Sequence, residues 1–164
     1  MATEPNWLVE ARRHVDVAEV PGPRHNPVIQ SWLHKLRAWW SDDETPWCGV
    51  FVAACMDTAG IALPKYWMRA KAWADWGSRL SAPVPGCVVV FERQGGGHVG
   101  FVVGRTANGC LMVLGGNQGN KVSIAPFGRD RVQAYVWPPG VPLPDHAALA
   151  VIDATGLQLS TNEA

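Results

Sequence analysis

One cysteine stands where its thiol can act as a nucleophile. In the segment DETPWCGVFV (43–52), Thr45 is a suitable helix cap and Pro46 a suitable first helical residue. Cys48 would then lie in the first turn, where backbone N–H groups and the helix dipole favour a thiolate. A thiolate in this position can attack a carbonyl carbon if a neighbouring base accepts the thiol proton.

The other cysteines are typical of core positions. Cys55, Cys87 and Cys110 each lie in an apolar run, which predicts small buried side chains. The spacing of the four cysteines matches no CxxC-type zinc pattern, so we predict neither a metal site nor a cofactor.

His98 is the best placed of the five histidines to act as the base. It follows the glycine run 95–97 and opens a predicted strand, so another element can approach its backbone closely. The other histidines fall on predicted helix surfaces, in a turn or in the tail: His14, His34, His25 and His146.

A third residue is expected to orient the imidazole of His98. A hairpin turn over TANG (106–109) places residue 98 either opposite residue 117 or one diagonal step from it. Both registers put His98 and Asn117 on the same face of the sheet, provided that the hairpin has no bulge. Glu92, at the end of the preceding strand, is the competing candidate. We favour Asn117, because Glu92 is predicted to lie in a solvated loop.

These residues depend on a series of helices followed by a series of strands. Apolar periodicity predicts helices over 6–17, 27–40, 46–59 and 66–76. From residue 83 onward, short β-branched runs separated by glycine-rich turns predict an antiparallel meander: 87–91, 98–103, 110–114, 121–127 and 132–137. This order indicates an α+β fold, with the cysteine helix packed on the sheet.

Composition limits the possible classes of protein. The 164 residues are 48% hydrophobic, which is enough for one core, and we assign residues 1–138 to a single domain. The proline-rich segment from residue 139 predicts a linker and a tail extending to residue 164. Lys+Arg 14 balance Asp+Glu 14, which argues against non-specific nucleic-acid binding. We see neither a membrane-spanning apolar run nor a signal peptide, and we expect a monomer.

Three segments carry a family resemblance. TPWCGVFVAACMDTAGI, PVPGCVVVFERQGGGHVGFVVG and LGGNQGNKVSI, in this order, resemble the cysteine peptidoglycan hydrolases of the CHAP and NlpC/P60 type. The resemblance spans roughly residues 5–138 and is strongest to a small branch found in phages and prophages. It implies a papain-like fold and hydrolysis of an amide bond in the cell-wall peptide without a metal.

The same resemblance implies residue roles. Cys48 matches the nucleophile, His98 the base and Asn117 the orienting residue, and the backbone N–H of Cys48 is a candidate oxyanion donor. Gly115 stands where CHAP members often carry a glutamate two residues before this asparagine. Candidates for lining the cleft or contacting substrate are Trp47, Gly97, Gln118 and Glu92.

The function that the resemblance implies is that of an endolysin-like enzyme. It would be an N-acetylmuramoyl-L-alanine amidase or a peptide endopeptidase, made in the host cytoplasm and acting on the wall after release. Its partner would be bacterial peptidoglycan rather than nucleic acid or membrane. Two alternatives stay open at this point: an antibacterial effector toxin with the same chemistry, and a non-catalytic wall-binding module that kept the fold. A neighbouring holin gene would favour the lytic enzyme, and an immunity gene the effector.

Overall fold

The helices come first in the chain. The computed structural model describes residues 4–20, 24–42, 46–93, 96–145 and 148–153. Within these ranges the α-helices are α1 (Asn6–Arg12), α2 (Pro27–Lys35) and α3 (Cys48–Thr58). The predicted start of α2 is confirmed, because the Asn26 side-chain oxygen accepts the N–H groups of Val28 and Ile29 at 2.8 and 3.4 Å. Both α1 and α2 end earlier than the apolar periodicity predicted.

Helix α3 begins at Cys48 itself. Trp47 occupies the cap position with φ −128°, so the prediction that Pro46 is the first helical residue was wrong. The predicted cap Thr45 lies outside the described residues. Every residue from Cys48 to Met56 is buried, so the helix is covered on all sides. A short 3₁₀-helix at Ala70–Asp75 replaces the longer helix predicted over 66–76.

The described strands form one antiparallel sheet. In chain order they are β1 (Ser78–Leu80), β2 (Val88–Arg93), β3 (Gly96–Arg105), β4 (Leu111–Gly115), β5 (Ser123–Phe127) and β6 (Val132–Trp137). Their spatial order is β1-β6-β2-β3-β4-β5. The α+β class is confirmed and is compatible with a papain-like fold.

The predicted meander holds only from β2 to β5. The sequence analysis missed β1, and it did not anticipate that β6 returns to pair with β2. The physical reason lies in β2, whose residues from Val88 to Phe91 are all buried. A strand buried on both faces lies at the centre of a sheet and needs a hydrogen-bonding neighbour on each edge.

Close packing brings α3 against β3 and the turn after β4. The ring centroids of Phe51 on α3 and Phe101 on β3 lie 6.2 Å apart. A Cβ atom at Gly116 would lie 2.6 Å from the Phe51 side chain and 2.8 Å from Trp47, closer than real contacts allow. Glycine at this position therefore permits the helix and the turn to meet.

The last described residues return to the sheet. The N–H of Arg105 donates to the carbonyl of Ala150 at 2.9 Å, and the N–H of Ile152 donates to Arg105 at 2.7 Å. Residues 154–164 of the predicted tail lie outside the described residues, and the domain boundary at 138 stays a prediction. Among the helices described, none has the length and apolar character needed to cross a bilayer.

We expect the folded protein to lose stability in alkaline solution because of its buried thiols. Burial raises the pKa of Cys87 from 9.0 to about 12 and raises that of Cys55 well above the usual value. Between the unfolded and the folded pKa, the folded state keeps these thiol protons and the unfolded state releases them. The contribution to the free energy of unfolding is therefore complete below the unfolded pKa and is lost as pH rises towards the folded pKa. Melting temperatures measured from about pH 8 to about pH 11 should decline, and Cys87→Ala should flatten the decline. Parallel curves for the two proteins would contradict this origin.

Candidate active site

Cys48 lies where the tip of α3 meets β3. Cys48 is 5% exposed, and the backbone N–H groups of Val99 and Gly49 lie near enough to the sulfur to lower the pKa of the thiol. Val99 directly follows His98 in β3. A Cβ atom at Gly49 would lie 2.5 Å from the carbonyl oxygen of Trp67, so glycine also lets the segment before the 3₁₀-helix approach the thiol.

The thiol is protonated at rest. Burial is the largest effect and raises the pKa of Cys48, while the N–H groups of Val99 and Gly49 and the charge of Arg93 lower it in part. The helix tip therefore does not by itself produce a thiolate. Attack on a carbonyl requires a base beside the sulfur.

His98 is fully buried on β3 between aromatic rings. Its imidazole stacks on Phe127, with centroids 5.4 Å apart and planes 9° from parallel, and on Phe91 at 6.2 Å. Its Nε2 lies 2.9 Å from Oε1 of Gln118. These contacts fix the plane of the ring and leave it little rotational freedom.

The amide of Gln118 selects the tautomer of His98. Its nitrogen donates to the carbonyl oxygens of Val113 at 3.1 Å and Ser123 at 2.8 Å. Because both carbonyls require a donor, the amide oxygen must face the imidazole. An oxygen there accepts a proton from Nε2, so in the neutral ring the lone pair is on Nδ1.

The residue seen to hydrogen-bond Nε2 is thus Gln118 rather than the predicted Asn117. Continuing the β3–β4 register from Phe101 opposite Leu114 does lead from residue 98 to residue 117. However, β4 ends at Gly115, and Asn117 adopts a left-handed φ of 59°. At Asn117 the chain no longer follows the strand geometry. The side chain of the next residue, Gln118, therefore lies beside the imidazole of His98. Asparagine tolerates a left-handed conformation better than most residues. An asparagine after two glycines was therefore the sequence signal that the strand could end before residue 117.

Gly115 makes room for this arrangement. A Cβ atom at position 115 would overlap the Gln118 side-chain oxygen and lie 3.4 Å from Nε2 of His98. Many CHAP members carry a glutamate at this position, but here the glycine has no side chain. The amide of Gln118 fills the space beside the imidazole instead.

The remaining predicted cleft residues differ in their surroundings. Trp47 is 1% exposed, and its indole N–H donates to Glu19 at 2.8 Å, so it supports the site from the core. Gln118 is also buried. Glu92 is exposed near the end of the central strand β2 rather than in the predicted loop, with Oε1 4.0 Å from Nζ of Lys71. Gly97 lines the cleft beside Cys48.

This cleft has a volume of about 290 Å³ and a basic lining. The cationic residues along it are Arg69, Lys71 and Arg93, which the sequence analysis did not single out. Arg69 and Lys71 come from a different segment of the chain than Arg93, and the three belong to no periodic pattern, so no sequence signal grouped them. In the portion of the chain that the structure describes, no cluster of three or more His, Cys, Asp or Glu side chains could hold a metal ion.

The helices and antiparallel sheet that hold Cys48 and His98 are compatible with a papain-like fold. Residues 40–117 match the CHAP domain, a family of peptidoglycan hydrolases that typically use cysteine and histidine. The match includes Cys48, His98 and Asn117 and ends directly before Gln118. It confirms the CHAP resemblance drawn from the motifs, while the phage branch stays a prediction. A search of curated proteins found no match.

Proposed function

We propose that this protein hydrolyses an amide bond of the peptidoglycan peptide with Cys48 as nucleophile, His98 as base and Gln118 as the residue that positions His98. The observation that carries the proposal is the position of Cys48 at the wall of an open cleft, where the backbone N–H of Val99, the residue after His98, lowers the pKa of its thiol. The match to the CHAP domain supplies the substrate class.

The reaction has two halves. His98 Nδ1 takes the proton of the Cys48 thiol, and the sulfur attacks the amide carbon. The resulting oxyanion is stabilised by N–H groups at the tip of α3, including that of Cys48. The imidazolium then protonates the leaving nitrogen, which departs as an amine and leaves a thioester on Cys48. Water gives a proton to His98 and attacks the thioester, which releases a carboxylic acid and restores the thiol.

Gln118 contributes to both halves without changing its own charge. Its oxygen accepts the Nε2 hydrogen in the neutral ring and in the imidazolium, so it keeps Nδ1 directed to the reaction. Three features hold it in place: its bonds to Val113 and Ser123, and the absence of a side chain at Gly115. We infer that this amide orients the imidazole from the space that Gly115 leaves open.

Digestion of purified peptidoglycan tests the proposal. We expect soluble fragments whose masses show a newly formed carboxyl group and a newly formed amine. An amine at the first residue of the stem would indicate an amidase, and one further along would indicate an endopeptidase. A protein that binds the wall but releases no fragment would be a binding module, and the proposal would then be abandoned.

Metal dependence gives an independent check. Activity should persist in EDTA and disappear after alkylation with iodoacetamide, because a Cys–His pair needs no ion. Loss in EDTA with recovery on addition of zinc would instead indicate a metalloenzyme.

A further inference from the structure

The cleft beside Cys48 has a strongly one-sided charge. Of the described residues that line it, Arg69, Lys71 and Arg93 are cationic and none is acidic. The whole chain has equal numbers of basic and acidic residues, so this concentration of positive charge is local. We call these three side chains the basic rim.

The protein itself neutralises the rim only weakly. Among the described residues, no carboxylate forms an ion pair with Arg69 or Arg93, whereas the remote Arg12 holds Glu4 at 2.8 Å. Lys71 has one acidic neighbour, Glu92, at 4.0 Å, and both side chains are about half exposed or more, at 49% and 65%. An exposed pair at this distance contributes little and leaves the ammonium group available to a ligand.

Contacts with the glycine run position two of these side chains. A Cβ atom at Gly97 would lie 3.0 Å from Cγ of Lys71, so the lysine stem passes directly over this glycine. Nε of Arg93 donates to the carbonyl of Gly97 at 3.2 Å. Both cations are therefore held against the strand segment that leads into His98. Cations held in place before binding lose less conformational freedom when a ligand arrives.

We propose that the basic rim binds a carboxylate of the stem peptide, so that the enzyme prefers stems with a free carboxylate in the cleft to the same stems bearing a carboxamide. Guanidinium and ammonium groups form charge-assisted hydrogen bonds with carboxylates, and a neutral carboxamide loses most of that attraction. This inference rests on the proposed function and adds a substrate preference to it.

Arg69 and Lys71 are the positions that test the rim. Arg93 is unsuitable, because its charge also acts on the Cys48 thiol. Lys35 on α2 is a matched control, since it is an exposed lysine that pairs with Asp57 at 3.5 Å, and neither residue lines the cleft. Lys35→Met removes the same charge as Lys71→Met.

The experiment uses soluble disaccharide stem peptides in pairs that differ at one carboxyl group, present as acid or carboxamide. For at least one pair we expect wild type to show kcat/KM at least about tenfold higher on the acid, expressed mainly in KM. Arg69→Met and Lys71→Met should reduce that ratio towards one, and Lys35→Met should leave it unchanged. Equal rates on acid and carboxamide in every pair, or a preference that survives both rim substitutions, would overturn the inference.

Calorimetry separates this inference from the proposed function. The acid and carboxamide peptides are titrated into Cys48→Ala, which keeps the rim but has no nucleophile. Tighter binding of the acid, lost when Lys71→Met is added, supports the rim even if wild type cleaves no peptide. Catalysis with equal binding of both peptides would leave the proposed function standing and refute the rim.

Discussion

Cys48→Ala should abolish cell-wall hydrolysis, with a loss of about three orders of magnitude or more, because it removes the atom that would form the thioester in the proposed mechanism. The fold should persist, since alanine is smaller than cysteine and the site already opens to a cleft. Turbidity loss of permeabilised cells and the melting temperature measure the two effects. Cys48→Ser serves as a near-isosteric companion and should be equally inactive.

The other cysteines provide the controls. Burial raises the pKa of Cys55 and of Cys87, which keeps these thiols protonated and unreactive. Cys110 is only partly buried, contrary to its predicted core position, but it lies in the β3–β4 turn region away from the cleft. Alanine at any of these positions should preserve turnover per folded molecule. A Cys48→Ala protein with more than about a tenth of wild-type activity would exclude the mechanism.

Gln118→Met should lower kcat by about a hundredfold with little change in KM, because the imidazole loses the acceptor that fixes its tautomer. Methionine fills a similar volume but cannot accept the Nε2 hydrogen. It also leaves the carbonyls of Val113 and Ser123 without their amide donor, so some loss of stability is expected as well. Turnover is therefore compared at temperatures well below each melting transition.

A pH profile separates positioning from stability. In the proposed mechanism the amide oxygen stabilises the imidazolium that accompanies the thiolate, so its loss should move alkylation of Cys48 by iodoacetamide to higher pH. A purely structural role would lower the melting temperature and leave this profile in place.

Asn117→Gly is the matched comparison for the residue favoured by sequence. Glycine accepts the left-handed φ of 59° and removes only the side-chain amide. We expect a smaller effect on kcat than for Gln118→Met. Glu92→Gln should be close to wild type, because the Glu92 side chain is 65% exposed near the end of β2. If Asn117→Gly greatly lowers kcat while Gln118→Met keeps a kcat close to wild type, the positioning role belongs to Asn117.

The sequence by itself determined the features that depend on short-range chemistry. The asparagine cap and the apolar period located α2, and the apolar run behind Cys48 located α3 and put the cysteine in its first turn. Short β-branched runs between glycine-rich turns located β2 to β6, including β3, which carries His98, although they did not reveal β1. Capping and periodicity act over a few residues, so a single sequence is enough to read them.

Only the tertiary structure decided which residues complete the site. Asn117 adopts a left-handed conformation just after β4, and the side chain that hydrogen-bonds His98 Nε2 is therefore that of Gln118, one position later in the chain. The basic rim depended on bringing residues 69–71 against Arg93 through the close approach at Gly49 and Gly97. Likewise, β6 paired with β2 because a buried central strand needs two neighbours. These outcomes arise from contacts between residues distant in the chain, which local patterns do not specify.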